Sequence, residues 1–444
     1  MKMMPNLLVI TIDSLRNDRL VGIKNTAKTP NIDFLIKNGV SFSQTISSSD
    51  STGTSIGSIF SGCFPCRTGI THFVFNPNTP LFSDELKNSN YFLAGTFPDV
   101  SFFSKLSSKF DFKDFYVYDK RENWLQLEGG IGEKIVKNFG FLKDKSHWFY
   151  YIHLMDLHSP FKLPEHYNSE NFGQTKYDKM ISYIDTWIGK ILEKINLSET
   201  IVVLSADHGD YIPIVDPTVT TPKNIQKILR KGKKLVPELE PLGVKFFSKT
   251  KSFLENQKRQ KLKNQLSEND LRTLGTRGTV NLFDELLMIP LIISGKNIPH
   301  SKKISNMVRQ VDIFPTVFSL AKIPSKMQNV DGRNLSPLIE CEELEELPAY
   351  IETGSREPKI LGKTIGVRTS DFKYWRSRDN PNQNVNLFDL QNDPDELQNM
   401  YKNSSLVKKM ENILHDILGE NKPSIPKIDD EKLVEDELKK LGYL

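Results

Sequence analysis

The sequence predicts an α/β fold built on a large, mostly parallel sheet, and three observations predict it. Short apolar runs recur along the chain, helical apolar spacing lies between them, and two of the runs end in a carboxylate. Strands alternating with helices are the signature of parallel β-strands joined by crossover helices. In such sheets ligands bind at the carboxyl ends of the strands.

The elements follow in order. Leu7–Asp13 is β-branched and closes on Asp13, so it reads as a buried parallel strand. The same pattern recurs at His147–Met155, Thr200–Asp207 and Leu287–Ser294. Helical spacing marks about Thr29–Asn38, Thr54–Phe60, Tyr177–Ile195 and Gln310–Ala321. After about residue 345 the pattern changes. Lys363–Arg378 and Asn386–Leu390 read as antiparallel strands with a turn at Ser370–Asp371. Helices are expected at about Glu396–Leu418 and at Asp429–Leu441. The expected division is therefore a catalytic domain over 1–345 and an α+β subdomain over 346–444.

Composition narrows the function. The chain has 444 residues, 38% hydrophobic and 26% charged, which excludes a mostly disordered chain. A net charge of +4 is nearly balanced, so no nucleic-acid partner is expected. One segment departs from that balance. Residues 223–264 hold thirteen Lys or Arg against three Glu, inside a basic helical insertion over about 222–275. It reads as a solvated helical insertion, or as a lid for an anionic polymer or surface. Three cysteines make no disulfide framework, and Cys63 and Cys66 read as small apolar residues. No run reaches the length of a transmembrane segment, and Leu7–Ile12 is too short for a signal sequence. The expected compartment is the cytoplasm.

Four groups of residues carry chemistry. Asp13, at the end of an apolar run, is costly to bury without a metal or a cation, although a capping aspartate occupies the same place. Asp207-His208-Gly209 adds an oxygen and a nitrogen donor at a second strand end, and Gly209 allows a sharp turn and a close approach. With Asp13 this is a divalent site of mixed donors, suited to Zn or Mn better than to an all-oxygen Ca site. Ser47 to Ser55 is rich in hydroxyls and runs into a helix, where one of them could be a cap or an activated nucleophile. Asp156-Leu157-His158 follows the aromatic strand, and His158 is placed to protonate a leaving group. His153, inside that strand, reads as a packed core residue.

In this order, these residues resemble the sulfatase family of the alkaline phosphatase superfamily. The resemblance rests on Ile10 to Arg16, Ser61 to Pro65, Asp156 to Phe161, Asp207-His208-Gly209, Asn281 to Pro290, Val311 to Thr316, Val330 to Leu335 and Leu387 to Pro394. It covers nearly the whole chain except the basic insertion. It implies one divalent metal ion (Mn, Zn or Ca) held by Asp13, Asp207, His208 and Thr52, with Thr52 as nucleophile. It also implies that Arg16 and His158 bind the oxyanion or leaving group. Cys63-Phe64-Pro65-Cys66-Arg67 has the spelling of the family's formylglycine motif, but Gly62 and Pro65 occupy an element that follows the nucleophile. Counting ten residues back gives Thr52, with Ser51 as its neighbouring alternative. Ser14 replaces a second aspartate, and Thr279 stands where the family carries a lysine, for which Arg277 is a candidate substitute. The implied activity is hydrolysis of an anionic sulfate or phosphate ester, with a saccharide or lipid-linked glycan as candidate substrate. The alternatives are phosphoryl transfer, and a catalytically impaired protein that binds an anionic polymer.

Overall fold

A computed structural model describes residues 4–22, 24–117, 126–158, 162–212, 272, 280–354 and 362–419. Two compact units divide the chain, one of residues 1–210 with 277–444 and one of 211–276. The basic insertion expected over 222–275 falls in the second unit and, apart from residue 272, outside the described residues. The elements that follow belong to the first.

Eight strands form the main sheet: β1 (Asn6–Ile12), β2 (Gly39–Ile46), β3 (Phe92–Pro98), β4 (Phe112–Tyr116), β5 (Trp148–Leu154), β6 (Thr200–Ser205), β7 (Met288–Gly295) and β8 (Lys302–Arg309). Their order is β4-β3-β5-β1-β6-β7-β2-β8. β4 through β6 run parallel in that order, as do β2 and β8. β7 is the exception, pairing antiparallel with both β6 and β2. The parallel strand expected at Leu287–Ser294 is thus corrected. An apolar run records burial on both faces and carries no direction.

That order places the site. β1 is central, between β5 and β6, in register Ile12↔Leu154 and Thr11↔Ser205. β2 is antiparallel to β7 and hence runs the same way as β6. The carboxyl ends of β5, β1, β6 and β2 therefore lie along one edge of the sheet. The residues leaving them are His158, Asp13, Asp207 and the Ser47–Ser55 run.

Seven helices accompany the strands: α1 (Pro30–Lys37), α2 (Thr52–Ser61), α3 (Pro65–Thr68), α4 (Phe82–Asn88), α5 (Ser101–Leu106), α6 (Gly132–Leu142) and α7 (Lys176–Leu192), with later short helices including Ile313–Ala321. α2 starts where Ser51 is extended and stops where Gly62 adopts φ +66°. Its Phe60 packs edge-on against Tyr151, with ring centroids 5.1 Å apart, and against Phe314 at 5.0 Å. Each such buried aromatic contributes about 2–3 kcal/mol by removing apolar area from water. α2 is thereby pinned to the sheet face.

A second sheet of four antiparallel strands follows, β9 (Ala349–Glu352), β10 (Thr364–Arg368), β11 (Phe372–Ser377) and β12 (Asn386–Asp389). The pair Arg368↔Lys373 closes the turn expected at Ser370–Asp371. The following helix begins at Ser404, not at Glu396, and ends at Leu418. Asn403 caps it by accepting from the Leu406 amide at 3.2 Å. Glu396 instead has φ +54° and is buried on Lys373. The helix expected at Asp429–Leu441 lies outside the described residues.

Candidate active site

Asp13 is fully buried, and each of its oxygens has a distinct neighbour. Ser14 Oγ donates to Oδ1 at 2.5 Å, and Thr52 Oγ1 donates to Oδ2 at 2.9 Å. Ser14 holds φ +63°, a left-handed conformation uncommon for serine. The turn that requires it directs the Ser14 amide to Asp207 Oδ1 at 3.1 Å. The His208 amide donates to the same oxygen at 2.8 Å. Both Oδ1 atoms are thus held by the protein, and Oδ2 of Asp13 faces the threonine.

Thr52 is the first residue of α2. Its hydroxyl is 3.3 Å from His208 Nε2, which in turn lies 3.4 Å from Asp207 Oδ2. The opposite ring nitrogen, Nδ1, is 2.8 Å from the Gly209 carbonyl, which orients the imidazole. Asp13, Thr52, His208 and Asp207 are thus linked in a chain of contacts at the N-terminal end of a helix, where the peptide dipoles favour negative charge.

The donors fit a divalent ion. One atom each from Asp13, His153 and Asp207 lies within 4.8 Å of the others, and all three residues are buried. His153 was expected to be core packing, and it is wholly buried. Its Nε2 has no hydrogen-bond partner among the described residues, however, and lies 3.9 Å from Asp13 Oδ2. The signal is tertiary: His153 is level with Thr11 in the β1–β5 register, two residues short of Asp13.

Two residues hold the edge together, Ser47 from the hydroxyl-rich run and Gln310, which sequence reasoning missed. Ser47 Oγ donates to the Asp207 carbonyl at 2.6 Å and lies 3.0 Å from Ser55 Oγ. Gln310, fully buried, donates to the Asp207 carbonyl at 2.7 Å, and its Oε1 lies 3.1 Å from the Ser47 hydroxyl. No charge or motif marks Gln310; only the chain crossing that sets it between β2 and β6 reveals it. Gly209 makes a close approach to protein. A Cβ there would meet the Glu285 carbonyl oxygen at 2.1 Å.

Arg16 is 5% exposed and forks onto Asp18, with Nε–Oδ1 at 2.8 Å and Nη2–Oδ2 at 2.6 Å. Burial lowers its pKa, but the Asp18 carboxylate outweighs that and raises it. The Asp18 carboxyl is correspondingly held low against its own burial. The Tyr177 hydroxyl accepts from the Arg16 amide at 2.9 Å and donates to the Ser14 carbonyl at 2.6 Å. Arg16 thus buttresses the turn after β1. His158 is buried, and its amide donates to the Met155 carbonyl at 3.0 Å. Nearby Asp156 is pushed up to about 7 by burial.

Cys63 belongs to the other end of α2. Ten residues at a rise of 1.5 Å make that helix about 15 Å long. Cys63 Sγ donates to the Asn329 carbonyl at 3.8 Å, and burial, then Asp331, pushes its thiol pKa up. Arg67 pairs with Asp331 at 2.7 Å. Cys66 is buried with Tyr350 and Val367 in the core of the four-stranded sheet. Thr279 and Arg277 lie outside the described residues.

Comparison with known proteins gives a consistent picture. The family model described as Sulfatase matches residues 5–323, and the model for the C-terminal part of N-sulphoglucosamine sulphohydrolase matches residues 279–422. Arylsulfatase K of Gallus gallus is 30% identical over 152 residues, covering 33% of this chain and 28% of that protein. The Homo sapiens arylsulfatase K matches with the same identity and coverage. The chain thus spans under a third of the length of these relatives. Among solved structures, Ps i-CgsB in complex with k-i-k-neocarrahexaose has a TM-score of 0.66 at 17% identity, covering 98% of this chain and 97% of that one. The phosphonate monoester hydrolase of Agrobacterium radiobacter has a TM-score of 0.66 at 15% identity, covering 96% and 100%. These two likenesses are of fold.

Proposed function

The chain belongs to the sulfatase family, and from that premise we propose that it hydrolyses sulfate or phosphate esters with the Thr52 hydroxyl as nucleophile. The observation that carries this reading is the position of Thr52 Oγ1, 2.9 Å from Asp13 Oδ2 and 3.3 Å from His208 Nε2 at the start of α2. Cys63, the alternative nucleophile by spelling, is a helix length away from these groups.

A divalent ion held by Asp13, Asp207, His208 and Thr52 would lower the hydroxyl pKa and neutralise charge on the ester. Asp13 Oδ2 is aligned to take the proton as Thr52 Oγ1 attacks the sulfur or phosphorus. The ester bond to the alcohol breaks, and His158, starting protonated, gives its proton to the leaving oxygen. Water then attacks the Thr52 ester and passes a proton to His158, and the released Thr52 oxygen takes back the proton held by Asp13 as the inorganic anion leaves. Arg16 holds the turn that carries Asp13, with its guanidinium forked onto Asp18. A threonine ester has no geminal hydroxyl with which to expel sulfate, which favours phosphate as the transferred group. The carbohydrate bound by the similar i-CgsB supports a saccharide ester as the candidate substrate.

The test is a screen of metal-stripped protein reloaded with Mn, Zn or Ca, on aryl sulfate, phosphomonoester and phosphodiester. Turnover is expected in wild type and Cys63→Ala and lost in Thr52→Ala, by about 10³-fold or more. Loss in Cys63→Ala alone would reverse the assignment. Product carrying the group on an added alcohol would identify a transferase. Tight metal binding without turnover would favour the binding-protein reading.

A further inference from the structure

We infer that His153 is itself a ligand of the divalent ion, giving this site two imidazole nitrogens. The inference rests on the metal-site reading above and deepens it. Three observations carry it. The His153 ring is fully buried, and a buried imidazole ordinarily satisfies both nitrogens. Nδ1 is satisfied by the Tyr151 hydroxyl at 3.0 Å. Nε2 has no hydrogen-bond partner among the described residues and points into the group formed with Asp13 and Asp207.

The spacing discriminates between the possible roles. A separation of 3.9 Å between Nε2 and Asp13 Oδ2 is too long for a hydrogen bond. Two donors that each lie about 2.0–2.2 Å from one ion are separated by roughly 3–4 Å. The distance is therefore that of two ligands across a shared cation. The strand supplies the alignment. Tyr151 and His153 are two apart on β5 and point to the same face, so the hydroxyl reaches Nδ1 and turns Nε2 toward β1. The ligand role requires the tautomer with its proton on Nδ1, donated to the Tyr151 oxygen, so that Nε2 presents its lone pair, an arrangement common among metal-bound histidines. The Phe103 ring, with its centroid 4.7 Å away, confines the imidazole on another side.

The composition of the site explains why a second nitrogen matters. Ser14 offers a neutral hydroxyl where a further carboxylate would have added charge, and that hydroxyl is occupied with Asp13 Oδ1. Two carboxylates and two imidazoles form a borderline donor set, favouring Zn or Mn over Ca, which takes six to eight oxygen ligands.

The experiment uses the full chain, stripped of metal. Pulsed electron paramagnetic resonance on the Mn-loaded wild type counts directly bound imidazole nitrogens, and two are expected. In parallel, Zn, Mn and Ca affinities are measured by competition with a chromophoric chelator for wild type, His153→Gln and Asp207→Asn. His153→Gln should weaken Zn and Mn binding by at least about 10- to 100-fold, the range seen for loss of even a supporting partner. Its Ca binding should change less, shifting the Zn-to-Ca ratio. A single bound nitrogen, or an unchanged ratio in a folded His153→Gln, overturns the inference. The metal-site reading survives that result if Asp207→Asn still abolishes binding. Wild type that binds none of the three ions overturns both.

Discussion

The backbone amide of Gly354 donates to Asp50 Oδ1 at 2.6 Å, joining the chain just past β9 to the turn that opens α2. Two residues earlier the Glu352 amide donates to the Ser48 carbonyl at 3.0 Å, and Ser49 pairs with Glu352 as a parallel bridge. Glu352 is itself held by Arg378 at 2.7 Å and by the Tyr350 hydroxyl at 2.7 Å. The start of the helix that carries Thr52 is thus braced by the small sheet on one side and by the end of β6 on the other.

That brace leaves no room for a side chain at 354. A Cβ on Gly354 would lie 2.2 Å from Ser51 Cβ, so the residue before Thr52 must move. Gly354→Ala should lower kcat on whichever ester the screen identifies by on the order of 10- to 100-fold, as small misplacements of a nucleophile do. KM should change little. Steady-state kinetics beside a thermal melt check this, and unchanged kcat would show that the brace does not position the nucleophile.

Gln310 makes the corresponding connection on the β6 side. Gln310→Met keeps the length of the side chain and removes its bonds to Ser47 and the Asp207 carbonyl. A buried carbonyl stripped of one donor costs about 1–3 kcal/mol. Urea titration should show that loss, with a weaker divalent-ion affinity because Asp207 is less firmly held. Full retention of both would assign Gln310 to packing alone.

Asp156 gives a pH dependence whose sign is fixed. Burial lifts its carboxyl to about 7, above the unfolded value near 3.9. Between those values the folded state binds the extra proton, so stability falls as pH rises through that window and then levels off. Asp156→Asn removes the titration. The variant should gain several degrees in melting temperature relative to wild type at pH 8 compared with pH 5. Equal differences at the two pH values would refute the buried neutral carboxyl.

Lys373 is fully buried on β11, between Asp284 at 2.5 Å and Glu396 at 2.9 Å, and Arg368 reaches Asp284 at 3.2 Å. Burial pushes Asp284 up, but Lys373 and then Arg368 outweigh it and hold that carboxyl at about 2. Lys373→Met would remove the cation that Asp284 and Glu396 share, leaving Asp284 with Arg368 and Glu396 in a dry interior. The expected cost is about 3–5 kcal/mol in urea unfolding at pH 7, diminishing as pH is lowered and the carboxylates are protonated. A cost under 1 kcal/mol would mean that water reaches the cluster.

Much of this was legible in the residues. Asp13 and Asp207 end apolar runs, and runs that end in a carboxylate show both the strands and the edge where they stop. The helical spacing from Thr54 extended to Thr52–Ser61 once Ser51 was seen to be extended. β2 and β8 show no clear strand pattern in the sequence, because Gly39–Ile46 and Lys302–Arg309 are interrupted by polar residues. The apolar spacing of the late helix begins eight residues before Ser404, because it continues through a segment whose Glu396 is needed by a distant lysine.

By itself the sequence determined the fold class and the family resemblance and singled out Asp13, Thr52, Asp207 and His208 as candidates, because strand periodicity and short motifs are local properties of the chain. Only the tertiary structure decided that β7 runs antiparallel, that Gln310 and Gly354 brace the start of α2, and that His153 faces two carboxylates. Each of these depends on which strand lies beside which, and that order is set by burial across the whole sheet.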